Sequence, residues 1–367
     1  MSDKPKVLVA MSGGVDSAVS AYLLREAGYE VGAAFMKNYV STDASCTTKA
    51  DRDSALAVFS YLGLKEFAIF DFQEEYKRAV MDKMYAGYAA GITPNPDVLC
   101  NTHVKFGVFL DKALARGWDM VATGHYARVQ RGDDGKFQLL KGVDDNKDQS
   151  YFLAGLNQAQ LSRALFPVGG IPKPEVRKIA LAAGLPNAVR ADSQGLCFVG
   201  KVDMGDFLSK KIDHQPGDIV DTAGKVLGRH EGAFSYTIGQ RRGIKIGGGP
   251  ALFVVSKDVQ RNIIVVGTGD DLALYSRRLI AKDPHWVSGA VALPFRGTAK
   301  IRYRQDDQNV EVRALSDGRW EATFDVPQRA VSPGQVIALY RGDELVASAI
   351  IESGGTSGDG DSPSVSA

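Results

Sequence analysis

The sequence predicts an α/β protein: a doubly wound, mostly parallel sheet, then a small mixed central domain, then a C-terminal β-barrel. Three observations carry that expectation. A glycine turn, Ser12-Gly13-Gly14-Val15-Asp16-Ser17, joins an apolar run over residues 6–11 to a helical pattern. Strand-like and helix-like segments then alternate to near residue 200, the pattern of a parallel sheet with its ligand site at the strand C-termini. Beyond that point Gly-rich strands and turn dipeptides replace most helices.

In chain order, Val15, Val19 and Leu23 share one helical face after the turn. Residues 30–36 read as a second strand. Residues 51–63 read as a helix with Ala55, Val58, Phe59 and Leu62 inward, and 67–72 as a third strand. Residues 76–90 and 104–116 read as helices and 120–123 as a strand. Between the two helices, Pro94 and Pro96 predict a rigid turn over 93–101, neither helix nor central strand. A hairpin, 127–130 with 136–141, interrupts the alternation. Helical pattern returns at 157–165 and 174–183. A first domain over 1–201 follows, then a central domain over 202–275 opened by a short helix at 204–211. Residues 276–352 predict a small barrel or sandwich, with strands at 310–315 and 322–326. The Gly/Ser/Asp-rich stretch 353–367 predicts a disordered tail.

Composition narrows the function class. With 367 residues, 44% hydrophobic and 24% charged, the chain has the balance of a soluble globular protein. No apolar stretch is long enough to span a membrane, and Met1–Lys6 carries no signal-peptide pattern, so a cytoplasmic address is expected. A net charge of +1 means that any nucleic-acid surface must be local. Cys46, Cys100 and Cys197 are too few for a disulfide scaffold. Without a C-x-x-C, and with scattered histidines, they predict no metal site.

The glycine turn has the makings of an anion site. Turn N–H groups and a helix N-terminus converge there, and Gly13 and Gly14 allow close backbone approach. It is not G-x-x-x-x-G-K-[ST]. It resembles the PP-loop of the ATP pyrophosphatases, which cut ATP between the α- and β-phosphates and adenylate a substrate oxygen. Further along, Thr93-Pro94-Asn95-Pro96-Asp97-Val98-Leu99-Cys100-Asn101 presents Asn95, Asp97 and Cys100 together. Cys197 sits in Gln194-Gly195-Leu196-Cys197-Phe198. Each cysteine alone reads first as a small buried hydrophobe. Gly124-His125-Tyr126-Ala127 follows an apolar strand at the ligand edge, and Lys147-Asp148-Gln149-Ser150-Tyr151-Phe152-Leu153 packs charge, amide and aromatics into one segment.

Together with Phe35-Met36-Lys37-Asn38, Ser235–Gly243 and Lys300–Gln305, these motifs resemble the tRNA-specific 2-thiouridylase family over residues 5–352. The resemblance implies an adenine nucleotide α-hydrolase-like first domain and an enzyme that replaces the C2 oxygen of the wobble uridine (position 34) with sulfur. It implies ATP, with Mg²⁺ easing charge on pyrophosphate. Ala10, Met11, Ser12, Gly13, Gly14, Val15, Asp16, Ser17, Met36 and Gly124 would hold the nucleotide. Met36 would rest on adenine or simply pack the core. Cys197 would carry a persulfide and Cys100 would be the catalytic thiol. Either the two end as a Cys100–Cys197 disulfide, or Cys100 releases sulfide in a closed pocket. Asp97 is a candidate general acid/base. Asn95, Pro96 and Asp97 would contact a flipped-out base, and Lys147, Asp148, Gln149, Arg302 and Tyr303 the tRNA. Gln240, Arg241, Arg242 and Lys245 form a second basic patch. Cys46 gets no catalytic part, because the loop around it is short and polar. The implied partners are tRNA, through its anticodon stem-loop, and a sulfur-donor protein, a cysteine desulfurase or relay carrier. A monomer is the default expectation. Two other readings stay open: a PP-loop amide or amidine synthetase, which needs no thiol pair, and a nonenzymatic nucleotide-dependent RNA-binding protein.

Overall fold

The computed structural model describes residues 4–39, 48–191 and 204–355. The first strands are β1 (Lys6–Ala10), β2 (Glu30–Lys37), β3 (Phe67–Asp71) and β4 (Met120–Ala122). The hairpin strands β5 (Ala127–Arg131) and β6 (Phe137–Lys141) follow, then β7 (Ala164–Leu165). A parallel sheet runs β3-β2-β1-β4-β7. β1 and β2 are almost wholly apolar because helices cover both faces. Leu8 and Ala10 join one core, and Val7 and Val9 a second with the Val15–Glu26 helix. The chain steps outward from β1 to β2 and β3, then returns to β4 on β1's other side. That reversal opens a crevice at the C-terminal ends of β1 and β4, where such sheets bind ligands.

Two expectations change. Over 157–165 only Gln158–Leu161 is helical, started by an Asn157–Gln160 capping box, and the next residues become β7. Ladder pairing of Ala164 and Leu165 with Val121 and Ala122 decides this, and helical periodicity cannot register so short a strand. Nor is 93–101 a rigid turn. Pro96 takes the first helical position, where its missing N–H costs nothing, and Asn95 Oδ1 accepts the Val98 N–H at 3.1 Å as cap. The helix Pro96–Cys100 continues through wide i→i+5 turns over Asn101–Val108 into Phe109–Ala115, bending at Gly107. The helix expected from residue 104 therefore begins at Pro96.

The central sheet comprises β8 (Gly217–Asp221), β9 (Val226–His230), β10 (Leu252–Asp258) and β11 (Ile263–Thr268), in the order β10-β11-β8-β9. The last domain holds β12 (Tyr275–Trp286), β13 (Phe295–Lys300), β14 (Gln308–Ala314), β15 (Trp320–Arg329), β16 (Val336–Arg341) and β17 (Glu344–Gly355). These run β12-β15-β14-β13-β16-β17, and β17 pairs back onto β12, which closes a barrel. β17 continues to Gly355, past the expected start of the tail at 353; residues 356–367 lie outside the described residues.

The hairpin is not a mere interruption. Leu139 and Leu140 of β6 pair with Leu345 and Glu344 of β17, so part of the first domain extends the barrel's sheet. One continuous apolar cluster holds Cys100, Leu139 and Tyr151 together with Val336, Tyr340 and Leu345 of the barrel.

Candidate active site

The turn Ser12–Gly14 lies at the crevice. Gly13 has φ +84°, and its backbone sits so close to the Asp51 carbonyl that a Cβ would overlap it. The Gly13 carbonyl accepts from Ser54 Oγ (2.8 Å), Asn187 Nδ2 (2.9 Å) and Arg190 Nη1 (3.1 Å), and Arg190 also pairs with Asp51. These donors hold the turn in one conformation. Gly14 precedes the helix in β-region backbone and has no side chain to cap it. The first-turn N–H groups of a helix lack intrahelical partners and favour an anion. Asp16 does not present a bare charge to such an anion. Its Oδ1 accepts Lys173 Nζ at 2.6 Å and the Tyr126 hydroxyl at 2.8 Å. Across the crevice, a Cβ on Gly124 would stand 2.7 Å from the Ser17 nitrogen and 2.8 Å from the Asp16 carbonyl carbon. Only glycine lets the loop after β4 lie this close to the turn. Met36, next to last in β2, is buried in the cluster that contains Ala10 and Cys100.

His125 follows Gly124 and is buried. Thr123 Oγ1 meets its Nδ1 at 2.7 Å, and Lys105 Nζ lies 3.4 Å from its Nε2. Burial, then the Lys105 charge, holds the imidazole pKa well below its ordinary value, so the ring is neutral. Lys105 stands on the helical run that carries Cys100. Cys100 is fully buried where regular helix gives way to wide turns. Cys197 and Cys46 lie outside the described residues.

Asn95, Pro96 and Asp97 are half-buried at the start of this helix. The barrel clamps them from behind. Gln335 Nε2 donates to Thr93 O (2.8 Å) and Pro94 O (3.3 Å), and Asn95 Nδ2 donates to Gln335 Oε1 (3.3 Å). The Thr93 N–H donates to Pro333 O at 2.8 Å, and Gly334 (φ +90°) passes so close that a Cβ would lie 2.9 Å from Thr93 carbonyl atoms.

A single-turn helix, Ser150–Leu153, bridges to the barrel. The buried Tyr151 hydroxyl donates to Val336 O at 2.8 Å. Burial pushes its pKa up, and the Val336 hydrogen bond, the nearby Asn95 amide and the Arg302 charge pull it back. Phe152 lies against Tyr303, ring centroids 4.2 Å apart. Burial raises the Tyr303 phenol, and among smaller contributions the carboxylates of Asp148, Asp144 and Asp97 act in the same direction. The structure thus gathers Asn95–Asp97 with Arg302 and Tyr303, although more than half the chain separates them.

Lys147, Asp148 and Gln149 are placed differently. Asp148 is buried; it accepts the Gly142 N–H (3.1 Å), the Ser150 N–H (3.0 Å) and the Ser150 hydroxyl (3.1 Å), with Lys300 Nζ 3.6 Å away. Gln149 Oε1 accepts the Tyr126 N–H at 3.0 Å. Both side chains bind the protein's own groups, whereas Lys147 is half-exposed. Arg241, Arg242 and Lys245 are exposed on the central domain. Among the described residues no group of three or more His, Cys, Asp or Glu could hold a metal. Sequence reading missed Ser54, Asn187, Arg190, Lys173 and Gln335. Each acts on a distant residue, and no local pattern marks any of them.

Comparison with known proteins adds a full-length match. Residues 5–201 match the family model described as tRNA methyl transferase HUP domain, 205–268 the tRNA methyl transferase PRC-barrel domain, and 276–351 the Aminomethyltransferase beta-barrel domain. The tRNA-specific 2-thiouridylase MnmA of Lysinibacillus sphaericus (strain C3-41) is 47% identical over 353 residues, 95% of this chain and 94% of that protein. The protein of the same name from Geobacillus thermodenitrificans (strain NG80-2) is 48% identical over 352 residues, 95% and 94% of the two chains. That from Stutzerimonas stutzeri (strain A1501) is 47% identical over 359 residues, 95% of each.

Proposed function

Since the chain belongs to the tRNA-specific 2-thiouridylase family, we propose that its glycine-turn crevice binds ATP and that sulfur passes through Cys100 and Cys197 to the wobble uridine of tRNA. The enzyme is a tRNA-uridine 2-sulfurtransferase. A urea-like C2 oxygen leaves poorly; once adenylated, it leaves as AMP. Ala10–Ser17, Met36 and Gly124 are the residues to hold the nucleotide, and the close approach of Gly124 to Ser17 supports that fit. Mg²⁺ would arrive with the phosphates and offset charge on the departing pyrophosphate.

The terminal sulfur of a Cys197 persulfide, supplied by a donor protein, would attack C2 and expel AMP. The Cys100 thiolate would then attack the Cys197 sulfur. The persulfide S–S bond breaks, its electrons stay with the new C2 sulfur, and a Cys100–Cys197 disulfide remains for an external thiol to reduce. Asp97, one helical turn before Cys100, would take up or return a proton. Asn95–Asp97 would meet the flipped base, with Lys147, Arg302 and Tyr303 on the surrounding RNA.

The observation that carries this reading is the Lys105–His125 contact at 3.4 Å. It ties the helical run bearing Cys100 to the residue after Gly124, which supports a thiol close to the nucleotide crevice. Release of AMP and pyrophosphate from ATP, counted in the presence of a persulfide donor with and without unmodified tRNA, tests it. Release should require tRNA and appear in equal amounts. ATP binding without tRNA-dependent release would favour the nonenzymatic RNA-binding reading instead.

A further inference from the structure

Lys257 of β10 is a half-buried cation with an unusual set of partners. Its Nζ donates to Tyr236 O at 2.6 Å and Phe234 O at 3.3 Å, and it lies 5.8 Å from the centre of the Tyr88 ring. No carboxylate pairs with it among the described residues. Two backbone carbonyls and one aromatic face do the work a counter-ion would do elsewhere. Tyr88 belongs to the first domain, on the helix Asp82–Ala89, whereas Phe234 and Tyr236 belong to the central domain. The ammonium therefore sits across the junction.

The segment it grips touches the other two domains. Thr237 lies near enough to the Tyr88 phenol to act on its ionisation, and Thr237 Oγ1 lies 3.4 Å from Thr93 Oγ1. On the barrel side, Ser332 Oγ reaches Ile238 O at 3.4 Å, and Gly239 packs so tightly on Ala330 that a Cβ would stand 2.5 Å from the Ala330 Cβ. Thr93 is the residue the barrel also clamps, two positions before Asn95. Three domains thus meet at Thr93, with Lys257 behind one of them.

We propose that Lys257 is a positioning residue for the tRNA reaction: its ammonium, clasping Phe234 O and Tyr236 O beneath Tyr88, sets the 234–239 segment against Thr93 and so fixes where Asn95–Asp97 meet the target base. The inference rests on the role proposed above for Asn95–Asp97. Burial alone lowers the lysine to about 8, with no charged neighbour contributing. Near neutrality the grip is charged, and it weakens as pH rises through that value. Besides the lysine, the titratable group in contact is the Tyr88 phenol, which burial raises from its ordinary value. The nearby Tyr236 phenol is raised too, so neither ionises in the same range.

The test is the first-turnover rate of tRNA-dependent pyrophosphate release, at saturating ATP, between pH 7 and 9, in the full-length protein. This step precedes any thiol chemistry. The wild type should slow as pH rises through about 8. Lys257→Met should be slower by about 10-fold at pH 7 and flat across the range, because two charge-assisted hydrogen bonds are gone. Its ATP affinity should be unchanged. Lys257→Arg, charged throughout, should keep most of the pH 7 rate and lose the decline. Methionine keeps the apolar stem of this half-buried lysine, so the variant should fold. Should Lys257→Met nevertheless fail to fold, the arginine profile decides alone. The inference is overturned if Lys257→Met matches the wild type at pH 7, or if the arginine variant keeps the wild-type decline. If the wild type itself releases no pyrophosphate with tRNA, the function proposed above fails first.

Discussion

At the scale of single residues, the crevice depends on backbone proximity more than on side chains. Gly124 shows this best, since even one methyl group would press on the Ser17 nitrogen and the Asp16 carbonyl carbon. Gly124→Ala should raise the dissociation constant for ATP by about 10-fold or more and also lower the melting temperature, since the methyl meets backbone that must shift, as read by calorimetric titration and melting. Unchanged affinity would mean that the nucleotide does not use this approach. The glycine turn itself was legible in the sequence, because strand, glycines and helix are contiguous. Its fixings were not. Ser54, Asn187 and Arg190 converge on one carbonyl from far along the chain, and nothing in their neighbours announces it. The motif around Asp148 was visible, but the inward direction of its side chain was not, since charge in a loop normally implies solvent.

At the scale of elements, alternation of strand and helix revealed the parallel sheet, and it failed where a capping rule outweighed a breaker. Two prolines suggested a turn, yet Asn95 and Pro96 together make a good helix start. That error matters because the helix aims Cys100 inward and leaves Asn95–Asp97 half-exposed at its tip. The tip is held by the barrel turn Pro333–Gly334. Gly334→Ala, with φ +90° and Thr93 backbone at 2.9 Å, should displace this turn. We expect KM for tRNA to rise and kcat to fall by about 10-fold or more, while ATP affinity holds. Parallel loss of ATP affinity would show that the barrel supports the nucleotide crevice directly. The hairpin β5–β6 was read correctly as a hairpin. Its partner was not legible, because the ladder to β17 joins residues on opposite sides of the central domain.

At the scale of the whole molecule, one core runs from Cys100 to the barrel, so the domains should not behave as independent beads. Acid sensitivity follows from the histidines distributed across it. His125 and His230 are buried and both lowered from 6.5, in each case first by burial. Below 6.5 the unfolded chain takes up protons that the folded chain refuses, so stability falls as pH drops. The melting temperature should decline between pH 7 and 5.5, and His125→Gln should flatten the decline. A melting temperature that is constant or rising on acidification would contradict the assignment.

The measurement closest to the centre of the account is mass spectrometry of tRNA nucleosides after incubation with ATP, Mg²⁺ and a persulfide donor. The wild type should produce 2-thiouridine, and Cys100→Ser and Cys197→Ser should each produce none while still releasing pyrophosphate with tRNA. Sulfur found in tRNA after either substitution would contradict the two-cysteine route.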